Sequence, residues 1–343
     1  MLIIDGHEDL AWNALTLGRD ITRPLAEIRA AEGPAPAHGE GTATVSLPTL
    51  RDAGVGVVLA TIFATPAGDS PVRQHGYTTA EEAYAQGQAQ LAFYADLDAR
   101  GEATLVRTAR DLAGVLDGTR PRPGLVLTLE GADPLRTPRD LPAFVAGGVR
   151  VVGPAWGATR YAGGTGAPGG LTAEGVNLLA EMLRLGVALD ASHLAEAAFW
   201  QAVELFPGRI VATHANCRAL VPTDRQLTDA MLRVIADRGG VIGLVFYNRF
   251  LKAGVSDADG KARVGLADLL PHARRIAEVA GVTHLGLGTD LDGGVGREVI
   301  PRELDSAADL PRVADVLATD FSASDVAGIM GGHWRRVLTE LLP

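Results

Sequence analysis

The hydrophobic positions of the chain form short continuous runs, separated by longer segments in which apolar and polar residues recur with helical spacing. Continuous apolar runs of this length are typical of parallel strands buried on both faces. The pattern predicts eight strands, at residues 2–4, 54–63, 123–129, 149–153, 186–190, 208–213, 240–246 and 284–289. Helical segments separate most of these strands, so we expect repeated β–α units.

The helical pattern is clearest after the second strand, where residues 78–81 (Thr-Thr-Ala-Glu) resemble a capping box. The segments predicted to be helical are 20–32, 78–97, 140–146, 172–185, 194–205, 228–238, 266–280 and 322–342. Two glycine-rich segments, 37–41 and 162–170, are predicted to be loops, and residues 257–260 are predicted to form a turn.

Eight strands alternating with helices predict an α/β fold, a (β/α)8 TIM barrel with insertions, formed by one domain over residues 1–343. Hydrophobic residues make up 47% of the chain, which is ample for a large core. An open dinucleotide-binding sheet is the weaker alternative, because no Gly-x-Gly-x-x-Gly motif follows the first strand.

The amino-acid composition argues against several classes of binding partner. The net charge is −10 and no basic segment is present, which argues against a nucleic-acid partner. The single cysteine, Cys217, allows no internal disulfide and is expected to be a buried thiol. No apolar run reaches membrane-spanning length, and the first residues lack the basic region of a signal peptide. We therefore expect a cytoplasmic protein without a membrane partner.

Histidines and acidic residues follow the predicted strands at the end where a barrel carries its active site. They are His7, Asp9, Glu130, His193, His214 and Asp290. Each one alone has an ordinary structural explanation, such as a helix cap or an Asx turn. Chance would scatter them over both ends of a barrel, so their placement after strands favours a metal site at the C-terminal strand ends.

The types of predicted ligand limit which metal ions the site would bind. Histidine and carboxylate without thiolate suit Zn2+, Mn2+, Co2+ or Fe2+. Five ligands are too many for one open tetrahedral zinc and about right for two ions that share a bridge. Glu130 is the predicted bridge, whereas Glu8 is expected to point away from the metal by strand alternation. A carbamylated lysine bridge is not expected, because Lys252 and Lys261 both follow the seventh strand.

Ordered motifs along nearly the whole chain resemble the membrane (renal) dipeptidase family of the amidohydrolase superfamily. The first, Asp-Gly-His-Glu-Asp-Leu-Ala-Trp at residues 5–12, is similar to the family's Asp-Gly-His-Asn-Asp-Leu-Pro-Trp. The others lie at residues 47–56, 130–132, 169–175, 184–186, 190–193, 214–216, 225–229 and 288–293. None of these motifs is decisive alone, but their order makes the set specific.

The resemblance implies a metal-dependent dipeptidase with two zinc ions per chain. It implies that His7, Asp9 and Glu130 hold one ion, and that Glu130, His193 and His214 hold the other. A hydroxide shared by the two ions would attack the peptide carbonyl. Relatives hydrolyse dipeptides, often with a D-residue at the C-terminal position, and are often dimers, so a homodimer is an open expectation.

Two further roles follow from the same resemblance. Asp290 would be the catalytic acid/base, and Arg225 would bind the substrate's terminal carboxylate, which suits a bidentate guanidinium. One departure concerns the substrate: Trp156 stands where the family often has a histidine that contacts the carbonyl oxygen or the oxyanion. An indole donates one hydrogen bond and carries no charge. His333 replaces an asparagine of the family and is expected to cap a helix.

Trp156 keeps two other functions open. One is a metallohydrolase of another small amide, a lactone or an ester, acting at the same site. The other is a metal-binding homologue without peptidase activity, with a biosynthetic or binding role. The complete ligand set and Asp290 favour the dipeptidase over both.

Overall fold

The computed structural model describes residues 1–33 and 41–343, so most of the predicted loop at 37–41 lies outside the described residues. Its centre is a barrel of eight parallel strands. They are β1 (Ile3–Glu8), β2 (Val55–Phe63), β3 (Gly124–Glu130), β4 (Val149–Gly153), β5 (Ala188–Asp190), β6 (Ile210–Val211), β7 (Ile242–Leu244) and β8 (Leu285–Leu287). The strands pair in the order β7-β8-β1-β2-β3-β4-β5-β6, and a parallel bridge between Ala212 and Ile242 joins the two ends. The predicted TIM barrel is confirmed.

The strand register brings the carboxyl ends of the strands to one face. β2 and β3 pair in step from Val57 opposite Gly124 to Phe63 opposite Glu130. On its other side Glu130 pairs with Gly153 at the end of β4. Both long strands are buried almost throughout, which explains their continuous apolar sequence. Polar residues at these ends therefore meet above the barrel.

Helices cover the outside of the barrel. The α-helices of the described chain span Leu10–Thr16, Leu25–Glu32, Leu47–Asp52, Ala80–Ala99, Ala109–Leu116, Leu141–Gly147, Ala173–Leu185, Glu196–Leu205, Asp229–Asp237, Asn248–Leu251, Leu269–Ala280, Pro311–Leu317, Ala323–Ala327 and His333–Leu341. The capping box is present one residue later than predicted, between Thr79 and Glu82. No helix among residues 1–33 and 41–343 is long and apolar enough to cross a bilayer.

Three predicted elements differ from the structure. The helix predicted from residue 20 begins only at Leu25, because a proline disfavours helical backbone in the residue before it and Pro24 precedes this helix. The predicted loop at 162–170 is an antiparallel hairpin of Ala162–Gly164 with Ala167–Leu171. The last helix is interrupted by a π-helical segment, Gly328–Gly332.

The final helix also places one side chain in the barrel interior. Trp334 is fully buried, and its indole Nε1 donates to the Leu287 carbonyl at 2.7 Å. A Cβ atom on Gly286 would lie 2.7 Å from that nitrogen, so the close approach requires glycine there. The neighbouring His333 is the C-cap residue of the π-helical segment, as a capping role predicts, and its backbone N–H donates to the Gly328 carbonyl. Its Nδ1 lies 2.8 Å from the Leu285 carbonyl at the start of β8, away from the strand ends that carry the predicted ligands.

Two smaller expectations are confirmed. Cys217 is fully buried, and burial raises the pKa of its thiol to about 12. The predicted turn at residues 257–260 is a short 3-10 turn, Asp257–Asp259.

Candidate metal centre

The five predicted metal ligands meet at the carboxyl ends of the strands. His7 belongs to β1 and Glu130 ends β3, whereas Asp9 follows β1 directly and His193 and His214 follow β5 and β6. Their ligand atoms form close groups in which all atoms lie within 4.8 Å of one another. These groups are His7 with Asp9 and Glu130, Glu130 with His193 and His214, and His7 with His214 and Asp290.

Glu130 stands between the first two groups, with one oxygen directed to each. Its Oε2 lies 3.3 Å from His7 Nε2, and its Oε1 lies 3.1 Å from His193 Nε2 and 3.4 Å from His214 Nε2. Asp9 Oδ2 lies 3.7 Å from His7 Nε2 and completes the first group. A carboxylate placed in this way can hold two cations at once.

The donor atoms fit divalent cations. His7 Nε2 is buried without a hydrogen-bond partner in the described chain, and His193 Nε2 and His214 Nε2 lie 3.0 Å apart. Burial, with the nearby Arg225 charge, lowers the pKa of His193 to about 4, and burial also lowers the pKa of His214. Both imidazoles are therefore neutral near pH 7, which is the form that binds metal.

The carboxylate of Glu130 is ionised in this setting. Burial alone raises its pKa, but the charge of His7 and hydrogen bonds with the surrounding histidines outweigh burial and bring the pKa well below its ordinary value. An ionised carboxylate beside the neutral imidazoles of His193 and His214 is a donor set without thiolate, which suits zinc and similar borderline ions.

Hydrogen bonds fix the ring of His214. Its Nδ1 lies 2.9 Å from the Thr213 hydroxyl, which in turn donates to Asp190 at 2.5 Å. The Asp190 carboxylate also accepts from the backbone N–H groups of Ser192 and Thr213. A metal-binding histidine commonly uses its second nitrogen in this way, which leaves Nε2 directed at the ion.

Asp290 lies beside the ligand groups in an unusual backbone conformation. Its φ is +57°, its backbone N–H donates to the His7 carbonyl at 3.2 Å, and its Oδ1 lies 3.9 Å from His7 Nε2. A Cβ atom on Gly293 would lie 1.6 Å from this oxygen, so glycine is required for the carboxylate to occupy its place. Burial raises the pKa of Asp290 well above its ordinary value; the His7 charge opposes this shift, and the Asp9 and Glu130 charges reinforce it.

Arg225 lies under the same face, with only 3% of its surface exposed. Its Nη2 donates to the His214 carbonyl at 2.7 Å, while its buried Nε and Nη1 have no hydrogen-bond partner in the described chain. The guanidinium also lies 5.2 Å from the centre of the Phe250 ring. Two free donors of a buried cation are available for an anionic ligand.

Comparison with known proteins identifies the family. The model of the membrane dipeptidase family (peptidase family M19) matches residues 1–341. The chain belongs to the membrane dipeptidase family. This result confirms the predicted resemblance and makes the protein a metal-dependent dipeptidase by class.

Individual relatives agree with this assignment. A metallopeptidase from Rhodobacter sphaeroides, liganded with a phosphinate mimic of the dipeptide L-Ala-D-Ala, is similar with a TM-score of 0.81 and 25% identity, over 100% of this chain and 99% of that chain. An uncharacterized protein in the pqqA 5′ region of Klebsiella pneumoniae is 38% identical over 58% of this chain and 75% of its own length. The dipeptidase aclJ of Aspergillus oryzae is 28% identical over 50% of this chain and 39% of its own length.

Trp156, the residue that departs from the family pattern, lines the cavity of this dipeptidase. Its ring centre lies 5.9 Å from that of His193 and 5.4 Å from that of Phe63, which it meets edge-on. The Arg73 guanidinium lies 5.8 Å from the centre of the indole on the same residue. The indole therefore stands beside a predicted metal ligand, at the place where a substrate would contact the site.

Other contacts of the dipeptidase site were not predicted from the sequence. The Thr165 hydroxyl lies 3.0 Å from His193 Nδ1, and the Thr61 hydroxyl donates to Asp9 Oδ1. Thr213 precedes His214 directly, and the rule that a bound histidine needs a second partner would have indicated it. Thr165 had no such signal, because the hairpin that carries it was predicted to be a loop.

Glu8 points away from the ligand groups and supports the dipeptidase's loop after β8. Its Oε1 accepts from the Thr289 hydroxyl at 2.8 Å, and its Oε2 accepts from the Asp292 N–H at 3.3 Å. Thr289 and Asp292 flank Asp290. Glu8 is fully buried and belongs to none of the metal-binding groups found in the described chain.

Proposed function

We propose that this dipeptidase binds two zinc ions and hydrolyses dipeptides, including those with a D-residue at the C-terminal position. The observation that supports two ions best is the placement of Glu130, whose two oxygens face two separate groups of ligands. The L-Ala-D-Ala mimic bound to the Rhodobacter sphaeroides relative supports the substrate class.

The residues of the chain then have separate tasks. His7, Asp9 and Glu130 would hold one ion, and Glu130, His193 and His214 the other. Divalent ions held there would lower the pKa of a water molecule and polarise the scissile carbonyl.

Asp290 would take the proton of the attacking water and return it to the leaving amine. Burial raises the pKa of Asp290, which suits a group that both accepts and donates a proton. The two free donors of Arg225 would bind the substrate's terminal carboxylate, which orients the peptide bond toward the ligand groups.

The test combines metal analysis with a dipeptide panel. Purified enzyme is expected to contain two zinc ions per chain and to cleave L-Ala-L-Ala and L-Ala-D-Ala, with loss of activity after chelation. Asp290→Asn should keep both ions and lower kcat by roughly a hundredfold or more. Glu130→Gln should weaken the binding of both ions.

Different results separate the alternatives. Two bound ions without cleavage of any dipeptide would contradict the proposal and favour a metallohydrolase of another small amide or ester. An Asp290→Asn variant with an unchanged rate would remove Asp290 from the reaction. A Glu130→Gln variant that retains both ions at wild-type affinity would contradict the bridge.

A further inference from the structure

A cavity of about 220 Å3 lies above the metal-binding groups, and its side walls are mostly apolar. Three aromatic rings form one continuous wall. Trp12 meets Phe63 edge-on with ring centres 6.0 Å apart, and Phe63 meets Trp156 edge-on at 5.4 Å. Trp12 and Phe63 are buried and close-packed, so this surface is already formed in the free protein. We call these three side chains the aromatic wall.

The polar residues that line the cavity are Asp9, Glu130, Asp290, His193 and Tyr247, and no lysine or arginine is among the described lining residues. The first four already belong to the metal-binding groups or act as the predicted acid/base, and the Tyr247 hydroxyl donates to Asp257. Two arginines lie beside lining residues: Arg225, the predicted carboxylate site, lies 5.2 Å from the centre of the Phe250 ring, and Arg73 lies 5.8 Å from the centre of the Trp156 ring. No unassigned carboxylate is left in the described lining to bind a basic side chain.

Arg225 fixes the direction in which a dipeptide would lie. Its guanidinium packs against Phe250 and the carbonyl of His214, so a terminal carboxylate bound there lies at the Phe250 and His193 end of the cavity. Asp9 belongs to the ligand group that faces the other oxygen of Glu130, and Trp12 and Phe63 line the cavity with it. Trp156 extends this surface from Phe63 to His193. A dipeptide whose peptide bond lies over Glu130 therefore has its N-terminal residue beside the aromatic wall.

We propose that the enzyme selects dipeptides whose N-terminal residue has an apolar side chain, which packs against the aromatic wall of Trp12, Phe63 and Trp156. This inference rests on the proposed function, because it names the substrates of that same site. Trp156 is then a specificity residue, because its indole presents an apolar surface to the substrate.

Kinetics with a matched set of dipeptides tests the inference. The set keeps D-Ala at the C-terminal position and places Leu, Phe, Gly, Asp or Lys at the N-terminal position. Burial of a whole apolar side chain corresponds to roughly a tenfold to hundredfold gain in kcat/KM over glycine. We therefore expect Leu and Phe substrates to exceed Gly, Asp and Lys substrates by that factor in the wild type.

Variants of the wall connect the preference to these residues. Trp156→Ala should reduce the ratio of kcat/KM between Leu and Gly substrates at least fivefold, and this ratio, which is independent of the amount of active enzyme, is the quantity compared. Phe63→Leu provides a second, milder change in case the first variant folds poorly. Trp200→Ala is the control, because this half-buried indole packs on Phe199 and does not line the cavity.

The outcomes distinguish this inference from the proposed function. If Gly, Asp or Lys substrates are cleaved as well as Leu and Phe substrates, the inference is wrong and the dipeptidase assignment stands. If both wall variants lower all substrates equally, as a general loss of folded enzyme would, the wall does not select the side chain. If no dipeptide is cleaved, the proposed function fails and this inference with it.

Discussion

Replacement of Arg225 by methionine is expected to reduce dipeptide cleavage strongly without weakening the fold. The guanidinium is almost fully buried and uses one of its donors on the His214 carbonyl, while Nε and Nη1 have no partner in the described chain. Burial lowers the pKa of Arg225, although the Asp290 and Glu130 charges act in the opposite direction.

The size of the effect follows from these contacts. A hydrogen bond to a charged group contributes about 1.5–3 kcal/mol, so loss of two such bonds to a carboxylate costs about 3–6 kcal/mol, or more than a hundredfold in kcat/KM. Stability should change little, because the variant loses one hydrogen bond from the guanidinium to a carbonyl, worth about 1.5–3 kcal/mol, and also loses the desolvation cost of a buried charge, which offsets it. We expect Tm to shift by only a few degrees.

The assay compares two substrates in two enzymes. A dipeptide and its C-terminal amide differ in the carboxylate alone. The wild type should prefer the free dipeptide by the factor above, whereas Arg225→Met should cleave both at similar low rates. Zinc content and Tm are measured in parallel. The reasoning is refuted if the variant still discriminates between the two substrates, or if its activity falls only in proportion to lost metal or lost folded protein.

Variants of Glu8 and Thr165 test the supports of the site, and a variant of His272 tests the pH dependence of stability. Glu8→Leu should lower kcat roughly tenfold with zinc retained, because the loop around Asp290 loses one of its supports, whereas Glu8→Gln should retain most activity. Equal losses in both variants would contradict this. Thr165→Val should weaken zinc binding roughly tenfold or more in a chelator competition, because the His193 ring loses its second partner; unchanged affinity would exclude that role. Burial lowers the pKa of His272 to about 4, so the unfolded state binds a proton first as pH falls below about 6.5. The free energy of unfolding should therefore fall by up to about 3 kcal/mol between pH 6.5 and 4, and His272→Gln should show a flatter dependence in urea titrations.

The barrel could be predicted because its strands are buried on both faces. β2 and β3 read as continuous apolar runs, and no surface helix or loop gives that pattern over so many residues. Errors arose where one residue or a distant contact decides the structure. Pro24 shortens a helix that periodicity extends to residue 20. The hairpin at 162–171 contains few side chains that could show a period, and its pairing depends on contacts with Trp156 and Leu194.

The metal-binding groups could be predicted for a related reason. In a parallel barrel every strand ends at the same face, so residues far apart in sequence must meet if each follows a strand. Glu130 and His214 illustrate this, since they are 84 positions apart and their atoms lie 3.4 Å apart. The contact between Thr165 and His193 depends instead on how an inserted hairpin folds back. The position of a residue relative to the strand ends therefore does not predict this contact.

The backbone conformation at two residues of the site could not be predicted either. It shows that the position of Asp290 depends on contacts with β1. His193 and Asp290 are the non-glycine residues of the described chain with positive φ, at +63° and +57°. Such conformations cost about 1 kcal/mol or more and persist only where the surroundings enforce them. For Asp290 the surroundings belong to β1: the His7 carbonyl accepts its N–H, and Glu8 holds the residues on either side.

The same strand therefore presents metal ligands on one side and supports the predicted acid/base on the other. His7 and Asp9 lie in the first ligand group, and Glu8 between them bonds to Thr289 and Asp292. Because adjacent residues of one strand carry both tasks, a shift of β1 would displace the ligands and Asp290 together. A change confined to the Glu8 side chain leaves the ligands of β1 in place, so it, like Asp290→Asn, can separate proton transfer from metal binding.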